Sequence, residues 1–157
     1  MKAIPTLQTR FGNWGLEADE NGITALIWNA EPSNAEFSGE TPDILTEGFR
    51  QLQAYAEGRL QVFDLPLAPK GSEFQQKVFA AMQAIPFGKT ITYGDIAKSL
   101  NCPAQPVGQA CGANPIPIII PCHRVLAKTG IGGFSGWGGV ENKIALLKHE
   151  NGFPFLI

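Results

Sequence analysis

The chain has 157 residues, 44% of them hydrophobic and 17% charged, with a net charge of −2. That balance excludes a disordered or coiled-coil chain, and the length allows a core that needs neither disulfides nor a structural metal. Three cysteines without C-x-x-C spacing (Cys102, Cys111 and Cys122) argue against a disulfide framework and a four-ligand zinc site, and fit a reducing compartment. No stretch approaches the ~18–20 apolar residues of a membrane span, so a soluble cytoplasmic protein is expected. The small net charge hides an uneven distribution. Residues 1–68 hold four basic against ten acidic side chains, a balance of −6, and residues 69–157 hold eight basic against four acidic, a balance of +4. A polyanionic partner would use the second part, although a chance imbalance of surface charge gives the same arithmetic.

In chain order, Phe11 to Ala18 and Ile23 to Trp28 are apolar, aromatic runs separated by Asp19-Glu20-Asn21-Gly22. This predicts two strands joined by a tight turn in which Asn-Gly accepts positive φ. A polar loop with two prolines covers Glu31 to Pro42. Thr41 then caps a helix with Pro42 at its first position and Ile44, Leu45, Phe49, Leu52 and Ala56 on one face, ending at Gly58. Val62 to Leu67 reads as one more strand. Residues 1–68 are therefore expected to form a small α/β domain, a β-sheet with a helix.

Pro66, Pro69 and Gly71 mark a linker, and residues 72–157 read as a mostly α-helical second domain. Ser72 and Gln75 form a capping box before a helix whose apolar face carries Phe74, Val78, Met82 and Ile85. Pro86-Phe87-Gly88 breaks that helix. Thr92 and Asp95 form a second capping box, opening a short helix through Ile96 and Leu100. After the turn Asn101-Cys102-Pro103, a third helix over Ala104 to Ala113 is rich in small residues. Short helix, turn and short helix is helix-turn-helix spacing, of winged-helix-like type, and two packed core helices joined by a loop read the same way. Ile118 to Ile120 is expected to be a buried strand, Thr129 to Gly139 a Gly-rich loop, and Val140 to Glu150 a last helix.

The chemistry is concentrated in Asn114-Pro115-Ile116-Pro117-Ile118-Ile119-Ile120-Pro121-Cys122-His123-Arg124-Val125. A cysteine after a buried apolar run is shielded from solvent, and such thiols are usually inert. An adjacent base polarised by a carboxylate would change that, and His123 with Glu150 offers the combination. From the residues alone, a nucleophilic Cys122 and a structural buried cysteine both stand.

These residues, together with Pro86-Phe87-Gly88, Thr92-Tyr93, Phe134-Ser135-Gly136 and Leu146-Leu147-Lys148-His149-Glu150-Asn151-Gly152, closely resemble the O6-alkylguanine-DNA alkyltransferases from about Ser72 onward. The N-terminal region fits that family only by position and pattern, and it has no match to the zinc ligands some relatives carry, so neither metal nor cofactor is expected. The resemblance implies a suicidal methylated-DNA–protein-cysteine methyltransferase that repairs DNA directly. The alkyl group of a flipped-out O6-alkylguanine would pass irreversibly to Cys122, with O4-alkylthymine left open as a second substrate. It further implies that His123, coupled through a water to Glu150, removes the thiol proton, and that Asn114 braces the turn. Tyr93 would contact the phosphate beside the extruded nucleotide and donate to the base. The carbonyls of Cys122 and Val125 would accept from its amine, the Ser135 amide would face O6, and Phe134 would pack on the base. Gln105, Gly108, Ala110, Gly112 and Ala113 would meet the minor groove of double-stranded DNA, and Arg124 would lock the two domains together through a carboxylate. A monomer is expected, with cooperativity along DNA left open and no membrane partner.

One position departs from the family. The helix entering the groove usually begins with an arginine that fills the gap left by the flipped base, and here Gln105 stands in its place, followed by Pro106. Glutamine lacks the charge and the stacking plane of a guanidinium. An alternative reading is thus a DNA-binding protein of this fold with weak or lost repair activity. Trp137, in the Gly-rich loop, is a candidate to line the alkyl pocket or to cap the core.

Overall fold

The computed structural model describes residues 5–31, 42–132 and 139–151. The chain divides into two compact units, Met1–Pro69 and Lys70–Ile157. In the first, β1 (Leu7–Thr9), β2 (Gly12–Asp19) and β3 (Gly22–Trp28) form an antiparallel sheet in that order, followed by α1 (Asp43–Ala56). Pairing Trp14 with Trp28 and Leu16 with Leu26 puts four large side chains on one buried face. The two indoles meet edge-on at 5.7 Å. Helix α1 covers this unit's core with Phe49, Leu52 and Tyr55, and Gly48 lies so close that an added Cβ would stand 2.8 Å from Leu16 Cδ1.

Several expectations for this unit need correction. Strand β1 was not anticipated, because three residues are too short for an alternating pattern to register. The hairpin turns at Glu20-Asn21, where the Asp19 carboxylate accepts from the backbone N–H of Asn21 and Gly22. Gly22 already belongs to β3, and its missing side chain is required by close approach: a Cβ would lie 2.6 Å from the Pro66 carbonyl oxygen. Pro42 is the N-cap of α1 and not its first residue, so the helix starts one position later than expected, and Thr41 lies outside the described residues. Val62 to Leu67 is not a strand. The buried Gln51 amide both donates to the Asp64 carbonyl and accepts from its N–H, so a side chain satisfies the backbone groups that a sheet partner would take. Only Leu67 makes a single parallel bridge, to Ile23.

The second unit contains α2 (Glu73–Gln83), β4 (Ile91–Thr92), α3 (Tyr93–Leu100), α4 (Ala104–Gly112), β5 (Val125–Leu126) and α5 (Val140–His149). Both capping boxes form, Ser72 with Gln75 on α2 and Thr92 with Asp95 on α3. Helix α3 stops at Asn101, which takes the left-handed conformation (φ 54°), and α4 starts three residues later. This is the helix-turn-helix. Strands β4 and β5 pair in parallel and so tie the start of α3 to the segment just after Cys122.

Ile118 to Ile120 is also not a strand. Ile119 N–H donates to the Pro117 carbonyl, Ile120 N–H to Ile116 and Cys122 N–H to Ile120, so the backbone is satisfied by tight turns. Ile118 sits at φ 74°, the centre of a γ-turn that a β-branched residue adopts only under strain, and Pro121 (φ −81°, ψ 69°) forms an inverse γ-turn just before the cysteine. Among the described residues, no helix is long and apolar enough to cross a membrane.

Candidate active site

The nucleophile candidate stands in a short 3-10 turn, Cys122–Arg124, packed against the end of α5. Cys122 is 4% exposed and its thiol is free. Asn114 holds the turn from below: its Nδ2 donates to the Ile120 carbonyl at 2.8 Å and its Oδ1 accepts from Ile116 N–H at 2.9 Å. Burial pushes the Cys122 thiol up to about 12, against a smaller downward pull from the Asn114 side chain. At rest the group is therefore a thiol, and it needs a base to become a nucleophile.

His123 is completely buried, and its Nε2 meets Glu150 Oε2 directly at 2.8 Å. The expected water between these two residues is absent from their contact, because the turn and the C-terminal cap of α5 touch. The other ring nitrogen, Nδ1, is buried with no partner among the described residues. Burial lowers the His123 pKa despite the carboxylate, which keeps the imidazole neutral and able to accept a proton. Glu150 is desolvated too, but its hydrogen bonds and charge contacts with His123 and Arg124 outweigh burial and hold it below the usual carboxylate range. Arg124 grips both carboxylate oxygens, with Nε at 2.8 Å from Oε1 and an Nη at 3.0 Å from Oε2.

Arg124 requires a correction. Its hydrogen bonds run to Glu150 and, at 2.7 Å, to the Ile85 carbonyl, all within the second unit. The carboxylate it was expected to find in the first unit is supplied by the end of α5. The Pro86-Phe87-Gly88 break gains a physical role here. The Phe87 ring lies 5.8 Å from the guanidinium carbon, and Gly88 (φ 81°) passes close enough to the Glu150 carbonyl that a Cβ would stand 3.2 Å away.

Tyr93 opens α3, half-buried, with its hydroxyl pushed up to about 12 by burial, so it stays a donor. On α4 the spacing of 3.6 residues sorts the small residues into two faces. Gln105, Gln109 and Gly112 are exposed and Gly108 is half-exposed, whereas Val107, Ala110 and Cys111 are buried. Ala110 is therefore a core residue and was misplaced among the groove-facing set. Ala113 is the exposed C-cap of α4. An added Cβ at Gly108 or Gly112 would meet nothing within 4 Å among the described residues, so packing against these does not require either glycine. Phe134, Ser135 and Trp137 lie outside the described residues.

Sequence reasoning missed Lys143. It sits on α5 at 0% exposure and donates from Nζ to the Val125 carbonyl at 2.7 Å. Its only signal in the sequence is its place seven residues before Glu150, two helical turns along the same face.

Fold and site together define a helix-turn-helix protein with a buried cysteine backed by a histidine–glutamate–arginine relay. Residues 73–152 match the 6-O-methylguanine DNA methyltransferase DNA binding domain, and residues 5–69 match the ribonuclease-like domain of the same proteins. The methylated-DNA–protein-cysteine methyltransferase of Methanosarcina acetivorans is 46% identical over 141 residues, covering 86% of this chain and 89% of the relative. The constitutive enzyme of that name from Bacillus subtilis is 37% identical over 154 residues, covering 92% and 91%. The crystal structure of Mycobacterium tuberculosis O6-methylguanine methyltransferase superposes with a TM-score of 0.78 at 35% identity, covering 94% of this chain and 91% of that one. The same mycobacterial protein in complex with DNA matches equally well. The chain belongs to the 6-O-methylguanine DNA methyltransferase family. The likeness reaches the N-terminal unit as well, beyond the motifs that first carried it.

Proposed function

We propose that this protein repairs duplex DNA by moving the alkyl group of O6-alkylguanine to Cys122, once per molecule. The observation that carries the reading is the buried relay. Nε2 of His123 is committed to Glu150, which leaves the unpartnered Nδ1 as the proton acceptor on the residue next to the nucleophile. The site is polar and enclosed, and a water bridging Nδ1 and the thiol would complete the path. The Cys122 sulfur attacks the alkyl carbon, the C–O6 bond breaks, and the electron pair goes to the guanine. The thiol proton passes to His123 and an equivalent proton restores neutral guanine, with Tyr93 as the donor to the base. The thioether formed has no base-catalysed route back.

The target carbon is inaccessible in a stacked duplex, so the base must leave the helix. Gly108 and Gly112 support α4 as the element that enters the minor groove. Each costs roughly 0.5–1 kcal/mol of helix stability relative to alanine, with no neighbour among the described residues to justify it, and a DNA backbone approaching closely would. Gln105, exposed at the start of that helix, would occupy part of the gap left by the base. Without an arginine there, and with a net charge of only −2, DNA affinity should be modest and salt-sensitive. Every relay group comes from one chain, which suits a monomer. The free thiols of Cys102, Cys111 and Cys122 suit a reducing cytoplasm.

Intact mass spectrometry after incubation with duplex DNA containing O6-methylguanine tests the reading. The expected result is a gain of about 14 Da, one CH2 equivalent, on Cys122 and none in Cys122→Ser. Tight binding without a mass gain would instead select the DNA-binding reading that Gln105 favours.

A further inference from the structure

Helix α4 is the element proposed to meet a polyanion, yet Ala104–Gly112 carries no charged side chain. Its polar side chains besides Cys111 are two glutamines, Gln105 and Gln109. They stand four residues apart, on the stripe that also holds Gly108 and Gly112, whereas Val107, Ala110 and Cys111 turn to the core. Both glutamines are exposed, and neither side-chain amide has a partner among the described residues. An exposed pair of this kind is ordinary where it meets only water. The setting of Gln109 is not ordinary. Gly112 is exposed, Gly108 is half-exposed, and a Cβ at either would meet nothing described within 4 Å. Gln109 is therefore flanked by bare backbone, and of these three residues it alone has a side chain to send forward.

We infer that Gln109 is a specificity-determining residue: its carboxamide reads the minor-groove edge of a base pair beside the lesion and favours pairs that carry the guanine 2-amino group. The inference rests on the alkyl-transfer reading above, with α4 as the helix that enters the groove. In the minor groove an A·T pair shows only acceptors, and a G·C pair adds one donor, the guanine N2 amine. A carboxamide has both functions, so its NH2 can donate to guanine N3 while its oxygen accepts from N2–H. Lysine and arginine have no acceptor and cannot make the second of these bonds. An uncharged helix thereby gains contacts that depend on sequence, where cationic side chains would chiefly gain contacts to phosphate. The spacing fits as well. Four residues of helix advance about 6 Å, less than two base-pair steps of about 3.4 Å each. With Gln105 at the gap left by the base, Gln109 reaches the first or second neighbouring pair.

The test uses duplexes with one O6-methylguanine whose two neighbouring pairs on each side are all G·C, all inosine·C, all A·T or all 2,6-diaminopurine·T. Inosine takes the minor-groove amine away from G·C, and diaminopurine adds it to A·T. Affinity is read by fluorescence anisotropy in a Cys122→Ser background, which lacks the accepting thiol, for Gln109, Gln109→Ala and Gln109→Lys. With Gln109, the amine-bearing duplex of each comparison should bind about tenfold more tightly. Gln109→Ala should bring both ratios to within about twofold of one, and comparing proteins on the same DNA cancels the effect of the amine on duplex stability. Gln109→Lys should bind all four duplexes more tightly at low salt and show no amine preference, because it adds charge and lacks an acceptor. Equal affinity of the Gln109 protein for duplexes with and without the amine overturns the inference. So does an amine preference that survives in Gln109→Ala or Gln109→Lys. Single-turnover methyl transfer to the protein with Cys122 intact is followed on the G·C duplex in parallel. Absence of transfer there removes the repair reaction, a separate failure, and the affinity ratios still decide Gln109.

Discussion

The two units treat charge in opposite ways. In the first, the ion pairs Arg50–Glu47 and Arg59–Glu57 lie at the surface, with side chains 43–64% exposed. In the second, His123, Arg124, Lys143, Glu150 and Asn114 are all buried, and Gln51 is the one buried polar side chain described in the first. Exposed pairs are screened and contribute little, so their loss should be tolerated. Buried charges are a different matter. They carry a desolvation cost that packed hydrophobic residues would avoid, and their concentration around one cysteine marks where the fold retains them for chemistry.

The sharpest way to break this contrast is to remove one partner from each kind of pair. Glu150→Gln leaves Arg124 buried without its counter-charge and His123 without its orienting carboxylate. It should lower stability by about 3–5 kcal/mol in urea unfolding and slow methyl transfer at least ~100-fold. Arg50→Ala, on the exposed pair, should leave both the unfolding midpoint and the transfer rate unchanged. A Glu150→Gln protein as stable and as fast as wild type would show that the buried network has no special standing.

The brace should come next in size. Asn114→Ala leaves the Ile116 N–H buried and unpaired and removes one of the two donors to the Ile120 carbonyl, beneath a turn that already holds Ile118 at positive φ. A loss of about 2–3 kcal/mol is expected in the same unfolding assay. The transfer rate should fall with it, because the turn sets the position of the thiol.

Acid should act on the second unit through the same groups. Glu150 and His123 both have folded pKa values below their unfolded ones, so the unfolded chain binds more protons as pH falls. Their stabilisation is fully present above the ordinary histidine range. It should decline as pH drops from about 6.5 and continue to decline through the carboxylate range. Urea midpoints at about pH 7 and about pH 5 test the sign, and Glu150→Gln should remove only the further decline through the carboxylate range, leaving the part that burial of His123 sets.

The smallest expected effect runs in two directions at once. Gly108→Ala and Gly112→Ala should each raise stability by roughly 0.5–1 kcal/mol, since both positions are helical and open. The same methyl groups should weaken binding to duplex DNA in a fluorescence anisotropy titration. If affinity is unchanged, α4 does not present this face to the groove.

Much of the fold was legible because its signals are local. The capping boxes at Ser72 and Thr92 are three-residue patterns, and both form as the spacing requires. The hairpin and α1 follow from apolar periodicity and a turn. The errors fall where a distant group competes with local propensity. Val62 to Leu67 has strand-like residues, but Gln51 on α1 takes the backbone groups of Asp64. Ile118 to Ile120 has three β-branched residues in a row, yet Asn114 and the flanking prolines fold it into consecutive tight turns. Small residues on α4 look alike in sequence, and helical geometry assigns Ala110 to the core and Gly108 to the open face.

The same division runs through the site. By itself the sequence determined the family, the uneven distribution of charge, the helix-turn-helix and the adjacency of Cys122 and His123, all carried by neighbouring residues or fixed motifs. Only the tertiary structure decided that His123 meets Glu150 without a water, that Arg124 finds its carboxylate in its own unit, and that Lys143 stands buried against Val125. Backbone preference and motif spacing act over a few residues and can be read along the chain. Burial and choice of partner arise when segments about 20 to 40 residues apart are packed together, and they set which charges are neutralised and which nitrogen is left to take a proton.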